Sequence, residues 1–318
     1  MPVQTQSDGH KTRRISDKNL GIIYIIGAAL GFALMNLFVQ LSGDVPVLQK
    51  CFFRNIVALF LVLPAALIEK RKPAGSGTGC QTSKYIFHNI SIGKGNFKYL
   101  FLRSLFGTLG LILNFYAIDH LDSISDASML NKLSPFFALI FSIFILKEIP
   151  KWFDCAALVV AFIGALFVIK PDMSLGGIPA VIGTASGLFA GLAYTYVRKL
   201  GMRGEKSATI IVFFSAFSGI VLLPFIVFDY HHMNMLQLIY LISAGASAAM
   251  GQIFITNAYK VCPAKEISFF DYTQVIFAAV LGFIFLGQLA DVYSFIGYFI
   301  IISVAVFRWY MTNYRASL

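Results

Sequence analysis

Long runs of apolar residues follow one another along the chain, and short polar connections separate most of them. The runs do not alternate between polar and apolar positions, and each is close to the roughly 20 residues that a helix needs to cross a membrane. The strands of a membrane barrel would be about half as long and would alternate. The pattern therefore predicts an all-α integral membrane protein with ten transmembrane helices. The predicted spans cover residues 21–41, 47–68, 99–118, 123–146, 152–170, 178–198, 207–228, 235–258, 264–287 and 292–312.

The composition supports a membrane protein and gives no sign of an enzyme. Of the 318 residues, 58% are hydrophobic and 13% are charged, whereas soluble proteins average about 45–50% and about 25%. The four cysteines are scattered, and no HExxH, GxSxG or GxxxxGKS/T motif occurs. We therefore expect no metal site, no cofactor and no hydrolytic chemistry.

Basic residues concentrate on one side of the predicted membrane. If the N-terminus lies in the cytoplasm, most of the 25 Lys and Arg residues fall on the cytoplasmic side, and only Lys50 and Lys170 fall in outer loops. Cytoplasmic loops carry such an excess, so we expect both termini in the cytoplasm and the protein in a bacterial inner membrane. The net charge of +10 thus reflects topology. The expected partners are a small-molecule substrate and membrane lipid, and no nucleic acid.

The two halves of the chain resemble each other. Asn131 corresponds to Asp271 in the longest matching stretch, and another match contains a small-xxx-small glycine pattern in both copies, which favours close helix packing in lipid. The matching stretches are IGAALGFA (26–33) with IGTASGLF (182–189), LFLVLPAAL (59–67) with GIVLLPFIV (219–227), and residues 126–148 with residues 266–288.

Each copy contains five predicted spans. The first copy covers residues 21–170 and includes a cytoplasmic loop at 69–98, the second covers residues 176–312, and residues 1–20 and 313–318 form cytoplasmic tails. Because five is odd, the second copy enters the membrane from the opposite side, which gives two inverted five-helix repeats. Such repeats allow alternating access, since exchanging the packing of the halves turns an outward-open cavity inward. The alternative is a duplication that only builds a stable bundle.

Two charged residues lie deep inside predicted spans. At 1.5 Å per residue, Lys132 in span 4 and Asp271 in span 9 are both near the midplane of a hydrocarbon core about 30 Å thick. Inversion makes these spans equivalent, so we predict that the two side chains face each other between the halves. They would form a permanent ion pair, or handle substrate or protons; the depth of Lys132 disfavours a third interpretation, snorkelling to the surface.

Other polar side chains inside the spans predict a polar lumen. Singly, such groups hydrogen-bond between helices about as often as they contact a substrate, but these are spread over several spans. Arg54 and Arg103 would each hold an anionic group, pair with helix-end carbonyls or reach lipid headgroups. The candidate substrate-binding residues are Lys132, Asn131, Asp271, Tyr272, Asn36, Asn114, Tyr116, Gln252, Asn257 and Arg54.

Five further residues are expected to act in gating or in structure. Asp126 and Glu266 occupy matching positions near opposite membrane surfaces. Glu148 ends span 4 and is expected to cap the start of span 5. Arg103, near the inner end of span 3, and Pro135, in span 4, complete the group.

Part of this pattern is typical of one known family. The residues concerned are Arg54, Arg103, Gly107, Gly110, Ser134, Pro135 and Glu148. Together, over about residues 20–312, they closely resemble the EamA-type transporters of the drug/metabolite transporter superfamily. The resemblance implies ten helices in two inverted repeats, with a central cavity lined mainly by spans 1–4 and 6–9 and with spans 5 and 10 at the periphery. It also implies transport of small organic solutes, coupled to ions or by exchange.

Three residues depart from the family pattern. Val275 replaces a frequent proline, Gln288 replaces a recurring glutamate, and Lys132 is additional. The prediction is a secondary active transporter that works by alternating access on a small anionic or zwitterionic metabolite, either proton-coupled or by exchange. The alternatives are a membrane-embedded enzyme acting on a lipid-like substrate, which would need clustered acids or histidines near one interface, and a non-transporting scaffold.

Overall fold

The computed structural model of the chain describes residues 7–67, 92–120, 130–169, 178–287 and 292–317. Within these ranges the regular structure is entirely helical, apart from turns, and contains no strand. A 3₁₀ segment, Ser268–Tyr272, joins two of the helices. The helices are α1 (Ser7–Leu41), α2 (Val47–Leu67), α3 (Phe97–His120), α4 (Ser134–Leu146), α5 (Trp152–Ile169), α6 (Ile178–Met202), α7 (Ser207–Phe228), α8 (Met235–Val261), α9 (Ala264–Ile267), α10 (Thr273–Leu286) and α11 (Val292–Ser317).

Six helical segments are long and apolar enough to cross a membrane. They are Lys18–Leu41, Val47–Pro64, Phe97–Ala117, Ser207–Phe228, Met235–Val261 and Ala264–Leu286. Three shorter helical segments are also apolar, namely Ser134–Leu146, Trp152–Phe167 and Phe295–Met311. The described residues therefore form an all-α membrane protein.

Large apolar side chains cover the outside of the helices. Phe60, Phe144 and Phe299 are 68%, 76% and 72% exposed. A soluble protein rarely exposes so much apolar surface, whereas acyl chains solvate it without cost. The outward faces of the helices are therefore suited to contact lipid.

Most helices of the first half of the chain pack against helices of the second half. The main contacts join α1 to α8, α3 to α6, α2 to α7, and α5 to α11. In addition, α4 packs on α6, and α10 packs on α1. The centre of the bundle is consequently a seam between the two halves.

Glycines allow some of these helices to approach closely. A Cβ atom at Gly31 would lie 2.7 Å from the backbone nitrogen of Gly251 in α8, and one at Gly187 would lie 2.7 Å from the carbonyl oxygen of Leu130. Neither backbone can move away cheaply. Gly31 and Gly187 belong to the two small-xxx-small stretches, so the close packing expected from the sequence is present.

The helices α4 and α10 end in the same way. Lys147 follows α4 with φ 58°, and its N–H donates to the carbonyl of Ser142. Gly287 follows α10 with φ 64°, and its N–H donates to the carbonyl of Gly282. The sequence match of 126–148 with 266–288 pairs these residues, so corresponding positions have the same backbone conformation, although only glycine adopts it without strain.

Replacing Gly31 by valine should separate α1 from α8. The added side chain meets backbone atoms, so we expect the protein to lose about 1–3 kcal/mol of stability. Thermal unfolding in detergent would measure the loss, with Leu30→Val as the control because Leu30 is 37% exposed. Equal melting temperatures for the two variants would contradict the close packing at Gly31.

Candidate functional site

Lys132 lies in a turn just before α4 begins. Pro135 has no N–H, so it cannot complete a helical hydrogen bond to this turn. The N–H of Phe136 bonds to the carbonyl of Leu133 at 3.0 Å, and the Lys132 carbonyl instead accepts from the hydroxyl of Tyr272 at 2.9 Å. Pro135 thus cannot donate to the Asn131 carbonyl one turn earlier, and the Tyr272 hydroxyl links the Lys132 carbonyl of one half to the other half.

The helix of span 4 is therefore interrupted. The apolar pattern predicts one span over residues 123–146, whereas the structure has a turn at 132–133 between residues 130–131 and α4. Asp126 lies outside the described residues, so its role in gating or structure stays a prediction.

The second half has a break at the corresponding place. The 3₁₀ segment Ser268–Tyr272 separates α9 from α10, and Asp271 lies within it. This break needs no proline, since Val275 stands at the position that matches Pro135. A short 3₁₀ stretch inside a longer helix often marks a functional site, and here both breaks fall next to the buried charges.

The ammonium of Lys132 contacts the carboxylate of Asp271. Nζ lies 2.9 Å from Oδ2 of Asp271 and 2.6 Å from Oε1 of Gln274. The Lys132 and Asp271 side chains are only 10% and 12% solvent-exposed. This is the contact between halves that the sequence predicts, and it leaves no net charge at the junction of α4 and α10.

A cavity of about 120 Å³ adjoins this pair. Its lining residues come from α1, α2, α3, α6, α7 and α8 and from the segments around the two helix breaks, but not from α5 or α11. These elements correspond to spans 1–4 and 6–9, as the resemblance implies. Seven of the ten candidate binding residues line the cavity, namely Asn36, Arg54, Asn114, Asn131, Lys132, Gln252 and Asp271.

Two arginines also line the cavity. Arg54 is buried, with Nε 3.0 Å from the sulfur of Met35 and Nη1 3.3 Å from Oδ1 of Asn55. Arg103 is buried as well, and its Nη2 donates to Oε1 of Gln252 at 2.9 Å. The sequence placed Arg103 among the gating or structural residues, whereas its side chain borders the cavity.

Three candidate binding residues do not line this cavity. Tyr116 is partly exposed and stacks on His120, with ring centroids 3.9 Å apart. Asn257 accepts from the hydroxyl of Ser207 at 2.6 Å, which joins α8 to α7. Tyr272 touches the site only through its hydrogen bond to the Lys132 carbonyl. The contact of Tyr116 therefore stays within α3, whereas those of Asn257 and Tyr272 join different helical segments.

Ion pairs join the two halves away from the cavity. Arg198 in α6 lies 3.1 Å from the carboxylate of Glu148, and Lys18 in α1 lies 3.2 Å from that of Glu266. The expected capping of span 5 by Glu148 is wrong, because Glu148 turns to Arg198. The carboxylate of Asp154 accepts from the Lys151 N–H at the start of α5 instead.

Several lining residues were not among the candidates, and three of them have large polar or aromatic side chains that bear on the site. These three are Gln274, Tyr194 and Phe214. Gln274 lies three residues after Asp271, on the same side of a helix, and this spacing could have identified it. Nothing in the apolar pattern distinguishes Phe214 from the other phenylalanines, since its position follows from the packing of α7 on α3.

The model of the EamA-like transporter family matches the chain twice, over residues 19–170 and 177–309. Among individual proteins, the pseudopaline exporter of Pseudomonas aeruginosa is 27% identical over 90% of this chain and 94% of its own length. Human solute carrier family 35 member G1 is 23% identical over 98% of this chain and 86% of its own. The riboflavin transporter of Vibrio cholerae is 22% identical over 84% and 85%.

The fold also occurs among solved structures. One crystal structure superposes with a TM-score of 0.69 over 90% of this chain and 94% of the other chain, at 13% sequence identity. At this identity the similarity establishes the fold alone.

Removing one charge of the Lys132–Asp271 pair should destabilise the protein more than removing both. A single buried partner left alone costs about 3–5 kcal/mol, whereas loss of both charges leaves no unpaired ion. We expect Lys132→Met and Asp271→Leu each to lower the melting temperature strongly and the double variant to recover much of the loss.

A pair closer to the surface provides the matched control. Lys18 and Glu266 keep 29% and 23% of their side-chain exposure, so Lys18→Met and Glu266→Leu should cost at most about 1 kcal/mol each. Strictly additive losses for Lys132→Met and Asp271→Leu would show that the two charges are energetically independent.

Proposed function

The chain belongs to the EamA-like transporter family, and on this premise we propose that it is a secondary active transporter working by alternating access. It moves a small anionic or zwitterionic organic solute, which binds in the central cavity between the two halves. The ten spans form two inverted five-helix repeats in a bacterial inner membrane, with both termini in the cytoplasm.

The contacts between helices support the inverted arrangement. Exchanging the two halves converts the α1–α8 contact into the α6–α3 contact, and the α1–α10 contact into the α6–α4 contact. The contacts α2–α7 and α5–α11 convert into themselves. Such a pattern is expected from a two-fold relation between halves. The double match of the family model and the identical endings of α4 and α10 agree with it.

One observation carries the proposal, namely the buried pair of Lys132 and Asp271 at the border of a polar cavity between the halves. Charges inside a membrane are costly and usually line a substrate or ion path. Transporters typically bind solutes near the midplane, where discontinuous helices expose backbone groups. Both helices that carry the pair are broken at the pair itself.

The charge of the cavity supports an anionic or zwitterionic solute. Its described lining contains three cationic side chains, Lys132, Arg54 and Arg103, and one carboxylate, Asp271. The relatives' names include two different solutes, pseudopaline and riboflavin. Because these solutes differ, the charges of the cavity are the better guide to the solute class of this chain.

Coupling would involve the same pair. If movement of the halves separates Lys132 from Asp271, the carboxylate is left without its counter-ion, and proton uptake then restores neutrality. Simple exchange of one solute for another needs no such step. Both modes fit a transporter without an ATP-binding motif.

The ion pairs at one end of the bundle would form a gate. In the proposed topology, Arg198–Glu148 and Lys18–Glu266 lie at the cytoplasmic end, and both pairs join the two halves. With these pairs formed, the cytoplasmic end is held together. The conformation described here then corresponds to a state closed towards the cytoplasm.

A solute screen tests the transport proposal. We expect at least one acidic or zwitterionic metabolite to raise the melting temperature of the purified protein and to be taken up by proteoliposomes. A ligand at 100 times its Kd stabilises by about 2.7 kcal/mol. The Lys132→Met/Asp271→Leu variant should lose uptake of that solute, and Asp229→Asn, an exposed position in an outer connection, should keep it.

Two results would count against the proposal. If the Lys132→Met/Asp271→Leu variant takes up solute at the wild-type rate, the ion pair takes no part in transport and has a purely structural role. Uptake unaffected by an imposed pH gradient would exclude proton coupling and leave exchange.

Breaking the gate should change which side of the membrane reaches the cavity. In a cysteine-free background with Asn114→Cys as the reporter, Glu148→Gln should decrease labelling by an impermeant thiol reagent added outside and increase labelling from inside. The Asp229→Asn variant should label like the parent. Unchanged labelling of the Glu148→Gln protein from both sides would show that this ion pair does not hold the cytoplasmic end closed.

A further inference from the structure

The three cationic side chains of the cavity differ in whether an acidic side chain neutralises their charge. Lys132 has a carboxylate at 2.9 Å and an amide oxygen at 2.6 Å. Arg54 and Arg103 have no carboxylate partner among the described residues. Within the described lining, Asp271 is the only acid, and it already faces Lys132. The site thus carries two positive charges that the described residues do not neutralise.

Of the two arginines, Arg103 has more hydrogen-bond donors without a partner. Its residue is only 2% solvent-exposed, and its Nε and Nη1 atoms have no hydrogen-bond partner within the described protein. The guanidinium lies over the ring of Phe214, 3.7 Å from the centroid, and Gln252 accepts from Nη2 alone. A ring and one neutral amide offset only part of the cost of desolvating a cation.

The backbone beside Arg103 is shaped to hold this side chain. A Cβ atom at Gly107, one turn along α3, would lie 2.9 Å from Nη1 of Arg103 and 2.9 Å from the ring of Phe214. Glycine at this position therefore leaves room for the guanidinium between α3 and α7. The group is held in place at the cavity wall, with two of its donors unsatisfied.

Arg54 faces the same cavity from α2. It is 5% exposed, and its two described partners are a thioether sulfur and a neutral amide oxygen, at Met35 and Asn55. A thioether is a weak acceptor. Arg54 and Arg103 line the same cavity of about 120 Å³, so one ligand in it can contact both.

We propose that the transported solute is a dianion, bound by Arg103 and Arg54 together, while Lys132 stays paired with Asp271. This inference rests on the proposed function and specifies its substrate class. Guanidinium groups present forked donors that match carboxylate and phosphate oxygens. Two carboxylates on one short chain and a single phosphoryl group both supply the required charge and acceptors.

The test compares dianions with matched monoanions on the wild-type protein. Succinate, glutarate and adipate represent dicarboxylates, glycerol 3-phosphate represents phosphate esters, and monomethyl glutarate and putrescine are the controls. We expect at least one dianion to stabilise the protein and to be taken up by proteoliposomes. The monoester should bind about 10- to 100-fold more weakly, since it lacks one charge-assisted contact. Stabilisation by a dicarboxylate or by glycerol 3-phosphate shows whether the site binds two carboxylates or a phosphoryl group.

Variants then assign the contact. Arg103→Lys and Arg54→Lys keep the charge but lose the forked donor set, so each should weaken binding of the responding dianion about 10-fold or more. Arg203→Lys is the matched control, because Arg203 is exposed and bonds to Asn96 outside the cavity.

Three outcomes would overturn this inference. Equal affinity for glutarate and its monoester would show that one acidic group suffices. Unchanged dianion affinity in Arg103→Lys and Arg54→Lys would remove the arginines from the site. Binding and uptake of other solutes, with no dianion bound, would reject the substrate class and leave the transport proposal standing, whereas a protein that moves no solute of any class would overturn both.

Discussion

Hydrocarbon cannot solvate a lone charge or an unpaired backbone group, and the centre of this protein depends on that constraint. Lys132 and Asp271 lie where two helices are broken, one in each half of the chain. The ammonium is held by the carboxylate, and the lysine's own carbonyl is held by the hydroxyl of Tyr272. Each half therefore supplies the partner that the other half lacks, so neither break would be stable in isolation.

This mutual dependence also explains the position of the cavity. A continuous helix would satisfy its own backbone and could pack with apolar side chains alone. A broken helix needs polar neighbours, and these neighbours leave a polar space next to the break. The close contacts of α1 with α8 and of α3 with α6 surround that space, while α5 and α11 contribute no lining residue. Glycine at positions such as Gly31 makes these contacts possible.

The sequence predicted the helices well because their main determinant is local. Apolar length sets the bounds of a membrane helix, so the observed ends of α2, α3 and α7 lie close to the predicted ones, whereas α1 begins at Ser7 and not at residue 21. The contact of Lys132 with Asp271 was also predictable, since depth in the membrane and the internal match both follow from position. The partner of Glu148 and the place of Arg103 were not, because they depend on how α6 and α7 rotate against their neighbours. Hydropathy carries no information about that rotation. The position of Glu148 beside a helix end suggested a helix cap, but its carboxylate pairs with Arg198 of α6 instead.

The paired and the unpaired charges of the cavity make different demands on a ligand. Drawing Lys132 from Asp271 costs a buried ion pair, so a solute must replace that interaction before it gains anything. Arg103 is already desolvated in the folded protein. The packing of its guanidinium on Phe214, in the space that Gly107 leaves, offsets part of the desolvation cost during folding. An anion reaching Arg103 meets donors that are fixed and dehydrated, so little ordering remains to oppose binding. The same preorganisation would oppose release unless movement of the halves carries Arg103, on α3 of the first half, away from Gln252 and Phe214 in the second half. A transporter needs such a change, because a site that stays fixed would hold its anion too tightly to release it.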